Sequence, residues 1–210
     1  MKKLISLLLA VIMAVMLVSC DSTKDQDDDP PKVKVELSRG TIDGDVYKNE
    51  YLDFEFTKPE SWVYSTDEEI ASLLNLSVDT ILGDKFKDAL NTNPSLYDMM
   101  VVDSLTSTNI SVGYENLSKT FSSNITEKQY VESLKKQLEN VSDMTVVFPD
   151  TLEKAMLGNT EFSKAVCTTT VYNTTMNQIY YLRKVDGYMA YVIVTIPNGY
   201  TIAQIEAMFK

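Results

Sequence analysis

Ser133-Leu134-Lys135-Lys136 is the one stretch of this chain whose residue types and spacing match a nucleophile motif. In Ser-x-x-Lys the lysine lies one helical turn from the serine and can take its proton. The Ser-Asp-Asn and Lys-Thr-Gly partners of that chemistry are absent, so the match reads as chance in a chain with many serines. The composition holds 0 histidines, which excludes Ser-His-Asp and Cys-His catalysis, His-bound zinc and the H-E-x-x-H helix. Its 30 acidic residues show no spacing that singles out a glycosidase pair. The cluster Asp25, Asp27, Asp28 and Asp29 lacks the glycine and closing glutamate of an EF-hand loop, and reads as a solvated spacer. No G-x-G-x-x-G or phosphate loop occurs among the 7 glycines. These residues imply no catalytic set, no metal and no cofactor.

Tyrosine is the more informative side chain. Of 12 in the chain, Tyr172, Tyr180, Tyr181, Tyr188, Tyr191 and Tyr200 concentrate near the C-terminal end. A phenol ring gives rigid contact area with a polar tip, which suits an interface; it equally suits cross-strand packing. Packing is the favoured reading, and Tyr172, Tyr180, Tyr181, Tyr188 and Tyr191 stand as weak candidates for a binding face. Cys167 sits in the alternating run Phe162-Ser163-Lys164-Ala165-Val166-Cys167 and reads as a small buried apolar residue. The formal net charge of −11 argues against nucleic acid and against anionic headgroups.

The N-terminus supplies an address. Lys2 and Lys3 precede an apolar run from Leu4 to Val18, broken only by Ser6, and Leu17-Val18-Ser19-Cys20 follows. The run falls short of the roughly 20 residues of a membrane span and has the layout of a secretory signal. Its end resembles a bacterial lipobox, which implies cleavage before Cys20 and lipidation of that cysteine. Acyl chains contribute about 0.8 kcal/mol per buried methylene, so two or three hold a protein firmly. With Cys20 lipidated, Cys167 has no disulfide partner. The segment to residue 32 is acidic, ends in Pro30-Pro31-Lys32, and reads as an extended tether. The expected organisation is a signal over 1–19, a lipidated cysteine and tether over 20–32, and one domain over 33–210.

The elements that must position any site follow from periodicity. Val33, Val35 and Leu37 alternate and predict a strand, with turns at Gly40 and Asp43-Gly44-Asp45. Tyr51 to Phe56 has period two, Pro59 ends it, and Trp62-Val63-Tyr64 continues extended. Ser65-x-x-Glu68 and Thr66-x-x-Glu69 are overlapping capping boxes before a helix that buries Ile70, Leu73 and Leu74. A short helix is expected over 79–90, then strands over 97–105 and 107–117. Thr126-x-x-Gln129 caps a helix with Tyr130, Leu134, Leu138 and Val141 on its apolar stripe. Strands over 144–149, 160–172, 176–185 and 188–196 precede a final helix that buries Ile202, Ile205 and Phe209. The nearly all-apolar run Met189 to Ile196 predicts a central strand. Adjacent strands interrupted by a few helices indicate α+β with a mainly antiparallel sheet flanked by helices on both faces.

The order strand, Phe54-Glu55-Phe56-Thr57-Lys58-Pro59-Glu60-Ser61-Trp62, capped helix resembles the PsbP-like family and similar segments of bacterial lipoproteins. The resemblance spans 41–210 in element order and 51–75 in motif. It implies an α/β/α sandwich of a kind often used for docking to other proteins, and transfers no ligand residue. Pro59 and Trp62 read as structural, a turn and a core edge. The expected protein is therefore a membrane-anchored extracytoplasmic lipoprotein, non-enzymatic, that binds a partner protein or assists an envelope assembly. A small-ligand or cation-binding module is the alternative, and a hydrolase the more distant one.

Overall fold

The sheet grows from long strands in the second half of the chain, where apolar side chains recur on both sides of the backbone. The structure, a computed structural model, describes residues 35–83, 85–121, 123–172 and 174–210. The expected signal, Cys20, the tether and the start of the first expected strand lie outside the described residues. In chain order the elements are β1 (Thr41–Asp43), β2 (Val46–Asn49), β3 (Phe54–Thr57), β4 (Trp62–Tyr64), α1 (Asp67–Leu74), α2 (Val78–Ile81), α3 (Lys85–Thr92), β5 (Ser95–Asp103) and β6 (Asn109–Asn116). Then come α4 (Leu117–Thr120), α5 (Glu127–Leu138), β7 (Met144–Val147), β8 (Glu153–Leu157), β9 (Thr160–Val171), β10 (Thr174–Val185), β11 (Tyr188–Ile196) and α6 (Ile202–Glu206). Among the described residues no helix is long and apolar enough to cross a membrane.

Eight strands pair in the order β4-β5-β6-β11-β10-β9-β7, with β8 also on β9, and β1-β2-β3 form a separate sheet. Every pairing is antiparallel. β11 lies at the centre and is buried along both faces after Tyr188. The register lines Tyr97, Gly113, Tyr191, Leu182 and Ser163 in one row across five strands. That face receives α5, whose Tyr130 hydroxyl donates to Glu115. The next row, Leu96, Tyr114, Ala190 and Arg183, belongs to the opposite face. There Phe86 of α3 meets Tyr114 edge-on at 5.9 Å, and Phe54 of β3 meets Phe162 at 6.4 Å. The result is a mostly antiparallel α+β sandwich covered on both sides, as the sequence implied.

Local chemistry explains the helix ends. Thr66 with Glu69, Thr126 with Gln129 and Thr201 with Gln204 each form a reciprocal capping box, so two otherwise orphaned N–H groups per helix find acceptors. Of the two overlapping boxes before α1, Thr66 is the one used. Trp62 is buried, with its indole N–H donating to the Tyr200 hydroxyl at 2.9 Å. Its amide donates to the Pro59 carbonyl at 3.0 Å, closing the turn the sequence placed there.

Several boundaries differ from expectation. Residues 35–40 are not a strand; the chain runs irregularly into the β1–β2 hairpin, whose turn uses Gly44 at φ 58°. β3 starts at Phe54 rather than Tyr51, because Asp53 takes φ 47°. The helix expected over 79–90 is two helices, broken where Leu82 is extended and Gly83 takes φ 52°. β8 is a strand that periodicity does not announce: Glu153–Leu157 carries little alternation and is mostly exposed.

Candidate functional site

The tyrosine candidates do not share a surface. Successive strand side chains point to opposite faces, so Tyr180 donates to Gln178 on the α5 face while Tyr181 donates to Glu206 of α6 on the other. Both are buried, as is Tyr191, whose hydroxyl meets that of Ser95 at 3.1 Å. Tyr188 is half-buried and bonds Asn91, and Tyr172 is 59% exposed at the β9–β10 turn. Three of the five are core, and the remaining two do not adjoin. A binding face made of these residues is therefore set aside, because the sheet is covered on both faces. Cys167 is buried in β9, where burial pushes its thiol up to about 12.

Besides Asp103, which accepts from the Leu105 and Thr106 amides and the Thr106 hydroxyl of its own turn, two buried acids belong to none of the motifs. Asp98 is 1% exposed and sits at an irregularity in the β5–β6 register. Its carboxylate accepts from the Gly40 amide at 2.9 and 3.1 Å and from Asn49 Nδ2 at 3.0 Å, while Arg39 Nε donates to its main-chain carbonyl at 3.1 Å. Asn49 also reaches the hydroxyls of Tyr47 and Tyr114, each at 2.8 Å. Burial pushes the Asp98 carboxyl up to about 6, outweighing the Tyr47 and Gly40 hydrogen bonds and nearby Arg39. The guanidinium of Arg39 goes on to Asp67 of α1 at 2.7 Å. This cluster staples the entry to β1 onto the sheet and α1.

The second acid, Glu115, lies under α5. It is 5% exposed, burial raises its carboxyl above the usual range, and Tyr130 and Thr120 donate to it, opposing that rise. Helical geometry sets two neighbouring stripes on α5. Tyr130, Leu134 and Gln137 face inward and line a small void with Glu115 and Phe121. Gln129, Ser133 and Lys136 face a groove one residue further round the helix. This groove has a volume of about 400 Å³ and is completed by Phe121, Asn124, Ile125 and Glu132. Its walls are α5 and the segment between α4 and α5. Ser133 and Lys136 of the nucleophile-like motif thus share the groove, Ser133 half-buried and Lys136 exposed.

Among the described residues every buried side-chain nitrogen or oxygen has a hydrogen-bond partner. In the same residues no three His, Cys, Asp or Glu side chains converge in a metal-binding group. The α5 groove is therefore the candidate site. Acids that directly follow a tyrosine within strands, Tyr97-Asp98 and Tyr114-Glu115, are the sequence signal for this pair. Phe121 gives no such signal.

No protein-family model and no curated protein matches the chain. Among solved structures, the solution structure of cyanobacterial PsbP (CyanoP) from Synechocystis sp. PCC 6803 is similar at 11% identity. The match covers 86% of this chain and 97% of that one, with a TM-score of 0.47. The α+β class of this chain is fixed independently by its own strand pairing.

Proposed function

We propose that this protein is a non-enzymatic lipoprotein, lipid-anchored through Cys20 at the extracytoplasmic face of a membrane, whose α+β domain docks a partner protein through the α5 groove. The observation that carries the docking reading is the groove itself. Phe121 and Ile125 supply apolar contact, while Gln129, Glu132 and Lys136 surround them with polar groups. An apolar centre with a polar rim is the anatomy of a protein interface. A groove this open leaves much of a small molecule in water, whereas pockets for such ligands bury most of it. The N-terminal pattern around Cys20 supports the anchor, and the acidic charge favours a basic partner surface. Tethering would hold the domain at high effective concentration near a membrane partner.

A photocrosslinking amino acid placed in cells at Glu132 or Lys136 tests this reading. A discrete adduct is expected from either position, abolished by Ile125→Asp, with none from exposed Glu60 in the β3–β4 turn. Adducts of equal yield and pattern from Glu60 would defeat it.

A further inference from the structure

We propose that Glu115 is the anionic end of a binding site for a primary alkylammonium group, entered from the α5 groove past Phe121. The site does not depend on partner docking, because a free amine and a lysine side chain carry the same chemistry.

Four observations meet here. The void beside Glu115 measures about 10 Å³, and its walls are Glu115, Phe121, Tyr130, Leu134 and Gln137. That is space for one water-sized group, which an –NH3⁺ matches and a trimethylammonium exceeds. Phe121 lines both this void and the outer groove, which places it between them. The ring is held edge-on against Tyr130 at 5.5 Å rather than by a hydrogen bond, and it is half-buried, so its displacement breaks only apolar contact.

The electrostatics point the same way. Buried carboxylates are normally paired with a cation. Asp98 has Arg39 beside it, while Asp103, buried to the same degree, is met by the Leu105 and Thr106 amides and the Thr106 hydroxyl of its own turn. Glu115 has hydroxyl donors, Tyr130 and Thr120, and among the described residues no lysine or arginine lies within ion-pair distance of it. An incoming ammonium would have three donors to place. Glu115, Tyr130 and Gln137 line the void and would offer carboxylate, hydroxyl and amide oxygens to those donors, while Phe121 and Leu134 would flank the alkyl stem. At the mouth, Glu132 attracts a cation and Lys136 opposes it.

Two-dimensional NMR of the isotope-labelled full chain in an uncharged detergent, titrated with n-butylamine near neutral pH, tests the proposal. Saturable shifts are expected at Phe121, Tyr130, Leu134 and Gln137 in the millimolar range. n-Butanol and butyltrimethylammonium should leave those signals unmoved, the first lacking the charge and the second too large. Glu115→Gln should weaken n-butylamine at least about tenfold, since a charge-assisted bond becomes a neutral one, and Phe121→Ala should speed its exchange. Nα-Acetyl-lysine N-methylamide distinguishes the sources: binding like n-butylamine assigns the site to a lysine side chain, and its failure beside bound n-butylamine assigns it to a free amine. Equal response to n-butanol, equal binding of butyltrimethylammonium, undiminished affinity in folded Glu115→Gln, or no response in either wild type or Phe121→Ala would overturn it. The comparison of the three small probes on the wild-type chain needs no variant to fold.

Discussion

Replacing Asp98 by asparagine should change how stability responds to pH, with a sign and size set by the site. The carboxyl is displaced from 3.8 to about 6 by burial. A group whose folded-state value is raised contributes stability that is complete below its unfolded value and lost as pH rises through the folded one. The window is therefore about pH 4 to 6, and the displacement corresponds to about 3 kcal/mol. The side chain introduced by Asp98→Asn cannot titrate, and its amide would present donors to the Gly40 and Asn49 N–H groups from which Asp98 now accepts. The variant should already lose about 1–3 kcal/mol near neutral pH through those mismatched donors. On acidification from neutral pH to about pH 3 the gap between wild type and variant should widen by about 3 kcal/mol, while contributions from other acids cancel in the difference. Urea unfolding followed by fluorescence reads this directly, because Trp62 is the one tryptophan and is 1% exposed. A gap that stays constant would show that Asp98 is not displaced. A gap that narrows would show its donors outweigh burial, and either outcome refutes the reasoning.

Three further outcomes follow from packing and capping. Gly113→Ala would drive a Cβ into the Tyr191 hydroxyl and the Leu96 carbonyl, and should lower stability by about 3 kcal/mol in urea titrations. Thr126→Ala removes the α5 capping box and should cost about 1 kcal/mol, with faster hydrogen exchange at the Gln129 amide. Cys167 should resist thiol reagents in the native protein and react once guanidinium unfolds it, as measured by mass spectrometry; rapid native labelling would contradict its burial.

Elements with strong periodicity and clear ends were legible in the sequence. β11 runs from Tyr188 to Ile196 between a glycine turn and Pro197, and a strand buried on both faces needs a continuous apolar run. α5 declared itself through Thr126, Gln129 and the stripe Tyr130, Leu134, Leu138. β1 could not, since all three of its residues are exposed and only pairing with β2 holds them extended. The break between α2 and α3 turns on one left-handed residue, Gly83, within a pattern that otherwise continues helical. The site was less legible than the fold. Tyr180 and Tyr181 must point to opposite faces, yet only the tertiary arrangement reveals that the elements covering those faces bury both side chains. Ser133 and Lys136 stand out as a motif, but the groove they share depends on the chain returning through Phe121 and Ile125.

The measurement that bears most directly on a tethered docking protein combines anchor and groove in one experiment. Cells producing wild type or Cys20→Ala, each with a photocrosslinker at Glu132, are fractionated and irradiated. Wild type should incorporate an alkyne fatty acid, sediment with membranes and give the Glu132 adduct. Cys20→Ala should lose the label, leave the membrane fraction and lose most of the adduct while its domain stays folded. Retention of Cys20→Ala in membranes with unchanged labelling and adduct yield would contradict the account.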